Sequence, residues 1–194
     1  MTVADEEITT PEQTTAETTS ARPSFLRWLA ELVLMIGLAF ILAAVVRTFV
    51  VQPFMIPTTS MVPTIEIGER VLANKFIYRF EKPEAGDVVV FDDPTGTVTT
   101  LIKRVIAVGG QTVDLVDGNV VVDGVPLDEP YTYGKPSEPG PVAMPYVVPK
   151  GSVWVMGDNR TNSADSRWFE AVSLDRIRGK AFLRYWPLSR VATL

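Results

Sequence analysis

Cysteine and histidine are both missing from the chain, and these two absences exclude whole classes of chemistry. Without cysteine there is no disulfide framework, no thiolate nucleophile and no thiolate metal site. A chain without thiols also tolerates either side of a membrane. Without histidine the commonest general base near neutral pH is gone, together with the usual zinc ligand. A Ser-His-Asp or Cys-His hydrolase is therefore ruled out, and any hydrolytic chemistry needs another base. Positive charge is also in the minority, with 18 Lys and Arg against 23 Asp and Glu and a net charge of −5. That balance gives no nucleic-acid footprint. The 194 residues suffice for one compact domain plus appendages.

Residues 1–24 are rich in Thr, Ala and acids, with Asp5, Glu6, Glu7, Glu12 and Glu17 set against Arg22 alone. Such a composition reads as a disordered acidic tail. An apolar run follows from Trp28 to Val46, 19 residues interrupted only by Glu31. At the helical rise it spans about 28 Å, close to the thickness of a bilayer core. The tail before it is long and acidic, unlike the short basic start of a cleaved secretory signal. Between Leu32 and Val46 there are no polar positions at helical spacing, unlike an amphipathic core helix. Residues 25–50 therefore read as a retained transmembrane anchor, with Arg27 and Glu31 near the interface. Arg22 and Arg27 before the span and Arg47 after it are too evenly divided to set its orientation.

From residue 51 to 194 the texture is β. Asp87–Phe91 and Leu101–Val108 are rich in branched side chains and bounded by turn residues. Thr112–Val116 and Asn119–Val122 flank Asp117-Gly118, which suits a type I′ hairpin turn. Ser152–Met156 and Ile177–Trp186 read as further strands, whereas Val125–Lys150 is full of proline and glycine and reads as loops. The expected fold is mostly β, with one or two short helical turns and an excursion from the core.

Three constellations carry chemical potential. In Pro57-Thr58-Thr59-Ser60-Met61-Val62-Pro63, two prolines fix the backbone on either side of a hydroxyl run, giving an extended and rigid mount. An activated serine needs such a mount, although a polar linker leaving a membrane has the same composition. In Leu101-Ile102-Lys103-Arg104-Val105-Ile106, strand alternation puts Lys103 on the face of Leu101 and Val105, opposite Ile102, Arg104 and Ile106. A lysine among apolar neighbours either snorkels or is buried. Burial lowers its pKa; bringing it from roughly 10.4 to about 7 takes about 4.6 kcal/mol. The third is Gly157-Asp158-Asn159-Arg160-Thr161-Asn162-Ser163-Ala164-Asp165-Ser166-Arg167, a polar loop directly after an apolar strand. It reads either as a functional loop or as a network of Asx and Ser turns.

Taken in order, these segments resemble the bacterial type I signal peptidases. Phe54–Ile65 resembles the family's serine box, Gly86–Phe91 its second box, Ile102–Gly110 its lysine box and Gly157–Arg167 its last box. The resemblance implies a mostly antiparallel β fold carrying a serine–lysine dyad, with Ser60 as nucleophile and Lys103 as general base. It assigns Thr58, with the Ser60 backbone N–H, to the oxyanion, and gives Ser163 a hydrogen bond that orients the lysine. Asp158, Asp165 and Arg167 match residues that buttress the site. Phe54, Ile56, Pro57, Met61, Leu101 and Ile102 fall where the family lines two shallow pockets that select Ala-X-Ala. The implied substrates are preprotein signal peptides, and the implied partners are the lipid bilayer and the secretion translocon. No metal or organic cofactor is implied. The implied location is the plasma membrane, with the tail cytoplasmic and the catalytic domain outside. Threonine stands at the oxyanion position where many relatives have serine, and the gap before the last box is short, which implies that the accessory β excursion of some relatives is reduced here, at about 111–150.

Two other readings remain open on the sequence. A self-cleaving serine–lysine protease of repressor type shares the dyad, but carries DNA-binding segments where this chain has an acidic tail and a span. A membrane-anchored β module that binds partners without catalysis needs neither Ser60 nor Lys103.

Overall fold

The computed structural model describes residues 25–45, 47 and 50–194; the acidic tail lies outside them, as does part of the segment leaving the helix. The chain divides into two units, which are described separately. Helix α1 runs from Phe25 to Val45, 21 residues with none buried. Its length is about 31 Å at the helical rise, enough to cross a bilayer core. Only Arg27 and Glu31 carry charge, both within the first two turns. The apolar surface of α1 is exposed on all sides, including Leu34, Ile36, Leu38, Phe40 and Leu42. A helix apolar all round is suited to lipid or to a large protein core.

The second unit is built from two antiparallel sheets. Its strands are β1 (Val51–Met55), β2 (Arg70–Asn74), β3 (Val88–Asp92), β4 (Thr100–Val108), β5 (Thr112–Val116) and β6 (Asn119–Val122). There follow β7 (Val125–Pro126), β8 (Tyr146–Val147), β9 (Ser152–Met156), β10 (Val172–Ser173), β11 (Ile177–Trp186) and β12 (Ala192–Thr193). The larger sheet has the order β1-β2-β11-β3-β4-β9-β10, with β12 paired to β11; the smaller is β7-β6-β5-β8. The smaller sheet is drawn from residues 112–147. Its hairpin turns at Asp117-Gly118 with both residues at positive φ, 50° and 80°, as a type I′ turn requires.

The six strands expected from alternation and branching are all present, within one residue at either end. Strands β1 and β2 were not expected; they carry Pro53 and mixed polarity and are made strands by β1 pairing to β2 and β2 to β11. Helical structure also exceeds the expected one or two turns. Besides α2 (Ser166–Phe169) there are 3₁₀ turns at Ile77–Arg79, Pro130–Thr132, Leu174–Arg176 and Leu188–Arg190.

Alternation distributes the core. Val89, Phe91, Val105, Val153, Val155 and Val172 form one buried cluster. Val88, Val90, Ile102, Ile56, Met61, Ile65 and Ala181 contribute to a second. A third joins the sheets through Ile106, Trp154 and Met156 against Val113, Val120 and Val148. Strand β4 lies at the centre of all three, paired along β3 from Thr100 to Arg104. Its ladder to β9 starts only at Arg104, opposite Met156. Among the described residues, Thr100–Lys103 therefore have one side of the backbone without a strand partner, and this opening positions the site. For the helix, the expected outcome of alkaline carbonate extraction is that the full chain stays in the membrane pellet. Recovery in the supernatant would contradict an anchor.

Candidate active site

Lys103 sits on β4 opposite Val89 of β3, with Leu101 opposite Phe91. Its face of the sheet is therefore apolar, and the residue is 2% exposed. Desolvation disfavours the ammonium form. Burial pushes the Lys103 pKa down to about 8, against an opposing pull from the carboxylates of Asp165, Asp158 and Asp93. Its Nζ lies 2.7 Å from Ser60 Oγ, to which it donates. Ser60 is 7% exposed. Two residues 43 apart in sequence thus meet as a buried pair.

The serine is delivered by a tight turn instead of the extended loop expected from its prolines. Val62 N–H donates to the Thr59 carbonyl at 3.1 Å and Ile65 N–H to the Met61 carbonyl at 2.8 Å. This turn faces Met61 inward, where it is fully buried against Ile56 and Ile65. Met61, expected on a substrate pocket, thus lies in the core and is not among the residues lining the apolar cleft described below. Thr58 is exposed, with its hydroxyl 3.4 Å from Ser60 Oγ.

The polar loop after β9 holds this turn from the other side. Asn159 donates its backbone N–H to the Ser60 carbonyl at 3.0 Å and its Nδ2 to the Thr59 carbonyl at 3.0 Å. Asn162 Nδ2 donates to Thr59 Oγ1 at 2.9 Å. Asp158, fully buried, accepts a bidentate pair from Arg104 at 2.9 and 2.7 Å and the Thr64 hydroxyl at 2.5 Å. Asp165 accepts the Gly157 N–H and two donors of Arg167 at 2.8 Å each. Ser166 Oγ accepts the Val155 N–H at 2.9 Å. Side chains thus satisfy backbone donors where β9 runs out of ladder, as a buried strand end demands.

Gly157 has a separate constraint. A Cβ there would collide with the Ser60 carbonyl and with Ser163 Oγ. Ser163 packs over this glycine, and its buried Oγ has no hydrogen-bond partner among the described residues. The bond to Lys103 expected for it is not made in this structure.

Phe54, Ile56, Pro57, Leu101 and Ile102 line one apolar cleft of about 250 Å³, together with Met55, Val90, Thr99 and Thr100. This cleft lies beside the open edge of β4. The loop from β3 to β4 that forms its rim is tied down by Asp93, which accepts N–H groups from Thr95, Thr97 and Val98. Burial alone would raise the Asp93 pKa, but these bonds and the Thr95 and Thr97 hydroxyls hold it below the usual carboxylate range. Sequence reasoning did not single out Asp93, Thr64, Asn159, Arg160 or Arg104. The last two were visible only as charges inside apolar or polar stretches.

With this geometry in place, comparison with known proteins decides the family. The family described as "Signal peptidase, peptidase S26" matches residues 29–186. The chain belongs to that family. A signal peptidase I of Leptolyngbya laminosa is 37% identical over 95% of this chain and 93% of its own length. A probable signal peptidase I-2 of Synechocystis sp. is 42% identical over 80% of this chain and 72% of its own. A signal peptidase I of Mycobacterium tuberculosis is 37% identical over 90% and 78%. The family match begins inside α1, so the apolar helix is part of what this peptidase shares with its relatives, which fits a membrane-anchored enzyme. For this peptidase, Gly157→Ala is expected to cut activity by more than about tenfold and to lower stability by about 1–3 kcal/mol through overpacking. Wild-type turnover in the variant would mean that the two loops have room to separate.

Proposed function

We propose that this signal peptidase is a membrane-bound serine endopeptidase that uses Ser60 as nucleophile and Lys103 as general base to cut signal peptides from exported preproteins. The observation that carries the reading is the 2.7 Å contact between Lys103 Nζ and Ser60 Oγ inside a buried site, in a chain that has no histidine. A lysine with a pKa near 8 is neutral often enough at physiological pH to act as a base. In the resting geometry its N–H donates to Oγ. Rotation about the Cε–Nζ bond turns the lone pair toward the hydroxyl proton instead.

The reaction then balances with these two groups. Oγ bonds to the scissile carbonyl carbon as its proton passes to Nζ. The carbon–nitrogen bond breaks as Nζ returns the proton to the leaving amine. A water repeats the cycle on the acyl-enzyme, freeing Oγ. The developing oxyanion would be held by the Ser60 backbone N–H and the Thr58 hydroxyl, which lies beside Oγ. An extended peptide can pair with the free side of Thr100–Lys103, placing alternate side chains in the apolar cleft. A cleft of about 250 Å³ favours small apolar residues, in keeping with an Ala-X-Ala preference. The bilayer and the secretion translocon are the proposed surroundings, with the β unit on the outer face of the plasma membrane and the N-terminus cytoplasmic.

The deciding experiment compares wild type with Lys103→Arg in detergent on a preprotein carrying an Ala-X-Ala site. Arginine keeps the charge but cannot be deprotonated. Cutting after the second alanine by wild type alone, with the variant folded, supports the base. Equal cutting by both would move the base elsewhere, and no cutting by either would favour a non-catalytic binding module. Because Lys103 must lose its proton, kcat/KM is expected to rise with pH through about 8, falling by about tenfold per unit below it. A flat profile between pH 6 and 9 would contradict the assignment. Thr58→Val is expected to lower kcat by about 10²–10³ through loss of one oxyanion donor; an unchanged kcat would remove Thr58 from that role.

A further inference from the structure

The geometry points to Glu129 and Tyr131, in the excursion, as positioning residues for the Ser60–Lys103 pair. They lie on the turn Glu129-Pro130-Tyr131, whose 3₁₀ segment Pro130–Thr132 is stiffened by proline at its start. Neither reaches the reacting atoms. Each instead grips one of the two arginines that shape the loop behind Ser60.

Glu129 takes the first. Its two oxygens receive Arg160 Nη1 and Nη2 at 2.6 and 2.5 Å, a forked pair whose planar geometry fixes the guanidinium in orientation as well as in place. Arg160 is 2% exposed, and its Nε donates to the Gly157 carbonyl at 3.1 Å. Tyr131 takes the second. Its hydroxyl donates to Glu129 at 2.9 Å, and its ring lies 4.2 Å from the Arg104 guanidinium, within cation–π range. Arg104 in turn holds both oxygens of Asp158.

Gly157 and Asp158 are therefore each fixed by an arginine that the excursion orients. The next residue, Asn159, carries the N–H and amide that hold the Ser60 and Thr59 carbonyls. A shift of this turn displaces the nucleophile relative to Lys103, and misplacement on the order of 1 Å costs about 10²-fold in rate. The excursion is thus a functional part of the site, although no atom of Glu129 or Tyr131 has to touch substrate.

This inference rests on the proposed base reading, and its test keeps the two apart. Glu129→Gln is isosteric and removes the charge; Tyr131→Leu removes the ring over Arg104; Tyr131→Phe keeps the ring. All are assayed on the full chain in detergent, beside wild type and Lys103→Arg, with rates normalised to folded enzyme. The expected result is a kcat lower by about tenfold for Glu129→Gln and Tyr131→Leu at a KM unchanged within about twofold, with Tyr131→Phe regaining most of the loss. Glu129→Gln carries the test by itself should Tyr131→Leu not fold. Wild-type kcat with only a lowered Tm would overturn the inference in favour of a purely structural turn. A raised KM at unchanged kcat would overturn it in favour of a substrate contact. Activity in Lys103→Arg would instead sink the base reading, whatever the other variants do.

Discussion

A lysine held out of water is costly, and the arrangement of this domain turns on that cost. The Lys103 pKa falls from 10.5 to about 8, which corresponds to roughly 3 kcal/mol of penalty on the charged form. The sign follows from linkage. Below pH 8 the native ammonium carries the full penalty. Between 8 and 10.5 the folded chain gives up the proton while the unfolded chain keeps it, so this group destabilises less as pH rises. The fold accepts the penalty because Val89, Phe91, Val105 and Val155 close the same face of the sheet. A hydrated lysine at this position would require opening that cluster.

The same burial has to stop short of neutralising everything nearby. Asp165 and Asp158 pull the lysine back toward its charged form, and both are fully buried. Each is matched by its own arginine, Arg167 and Arg104 respectively. Buried pairs of this kind are weak evidence for stability, since desolvation offsets much of the attraction. Their value here is geometric. Once a carboxylate is engaged, the remaining arginine donors go to backbone carbonyls. Arg104 reaches Gly86, and Arg167 reaches Glu138 and Arg160. Three loops distant in sequence are thereby tied to one another around the serine turn.

Much of this was legible in the sequence where local signals and tertiary demands agree. The long strands declare themselves by branched side chains, and the face of Lys103 follows from alternation because β4 is regular up to Val105. The site residues read from the serine, lysine and last polar segments all lie in this one domain, and Ser60 and Lys103 are in contact. What stayed hidden has identifiable causes. Met61 went inward because two backbone bonds curl the chain after Thr59, which prolines on either side do not disclose. Ser163 has no bond to the lysine because it packs over Gly157, a contact between segments of one loop. Glu129 and Tyr131 lie in a stretch whose prolines and glycines read as mere connection. Their partners are 31 and 27 residues away, and no periodicity joins them.

The cleft and Lys103 are also joined physically. Leu101 and Ile102 line the cleft and immediately precede Lys103 on β4. Asp93 ties down the rim of the cleft and contributes to the field at the lysine. A peptide filling this cleft would displace water from the open edge of β4, beside a lysine that is already buried. Desolvation is already the largest influence on its pKa, and more of it acts in the same direction. On the proposed mechanism, occupancy by a well-fitting small side chain therefore favours the neutral amine further, whereas a bulky residue that holds the peptide away leaves the lysine at its resting pKa of about 8. On that mechanism, specificity and activation of the base are then not separate achievements. Side-chain size, read by an apolar surface, would then add to the desolvation that already lowers the lysine's pKa.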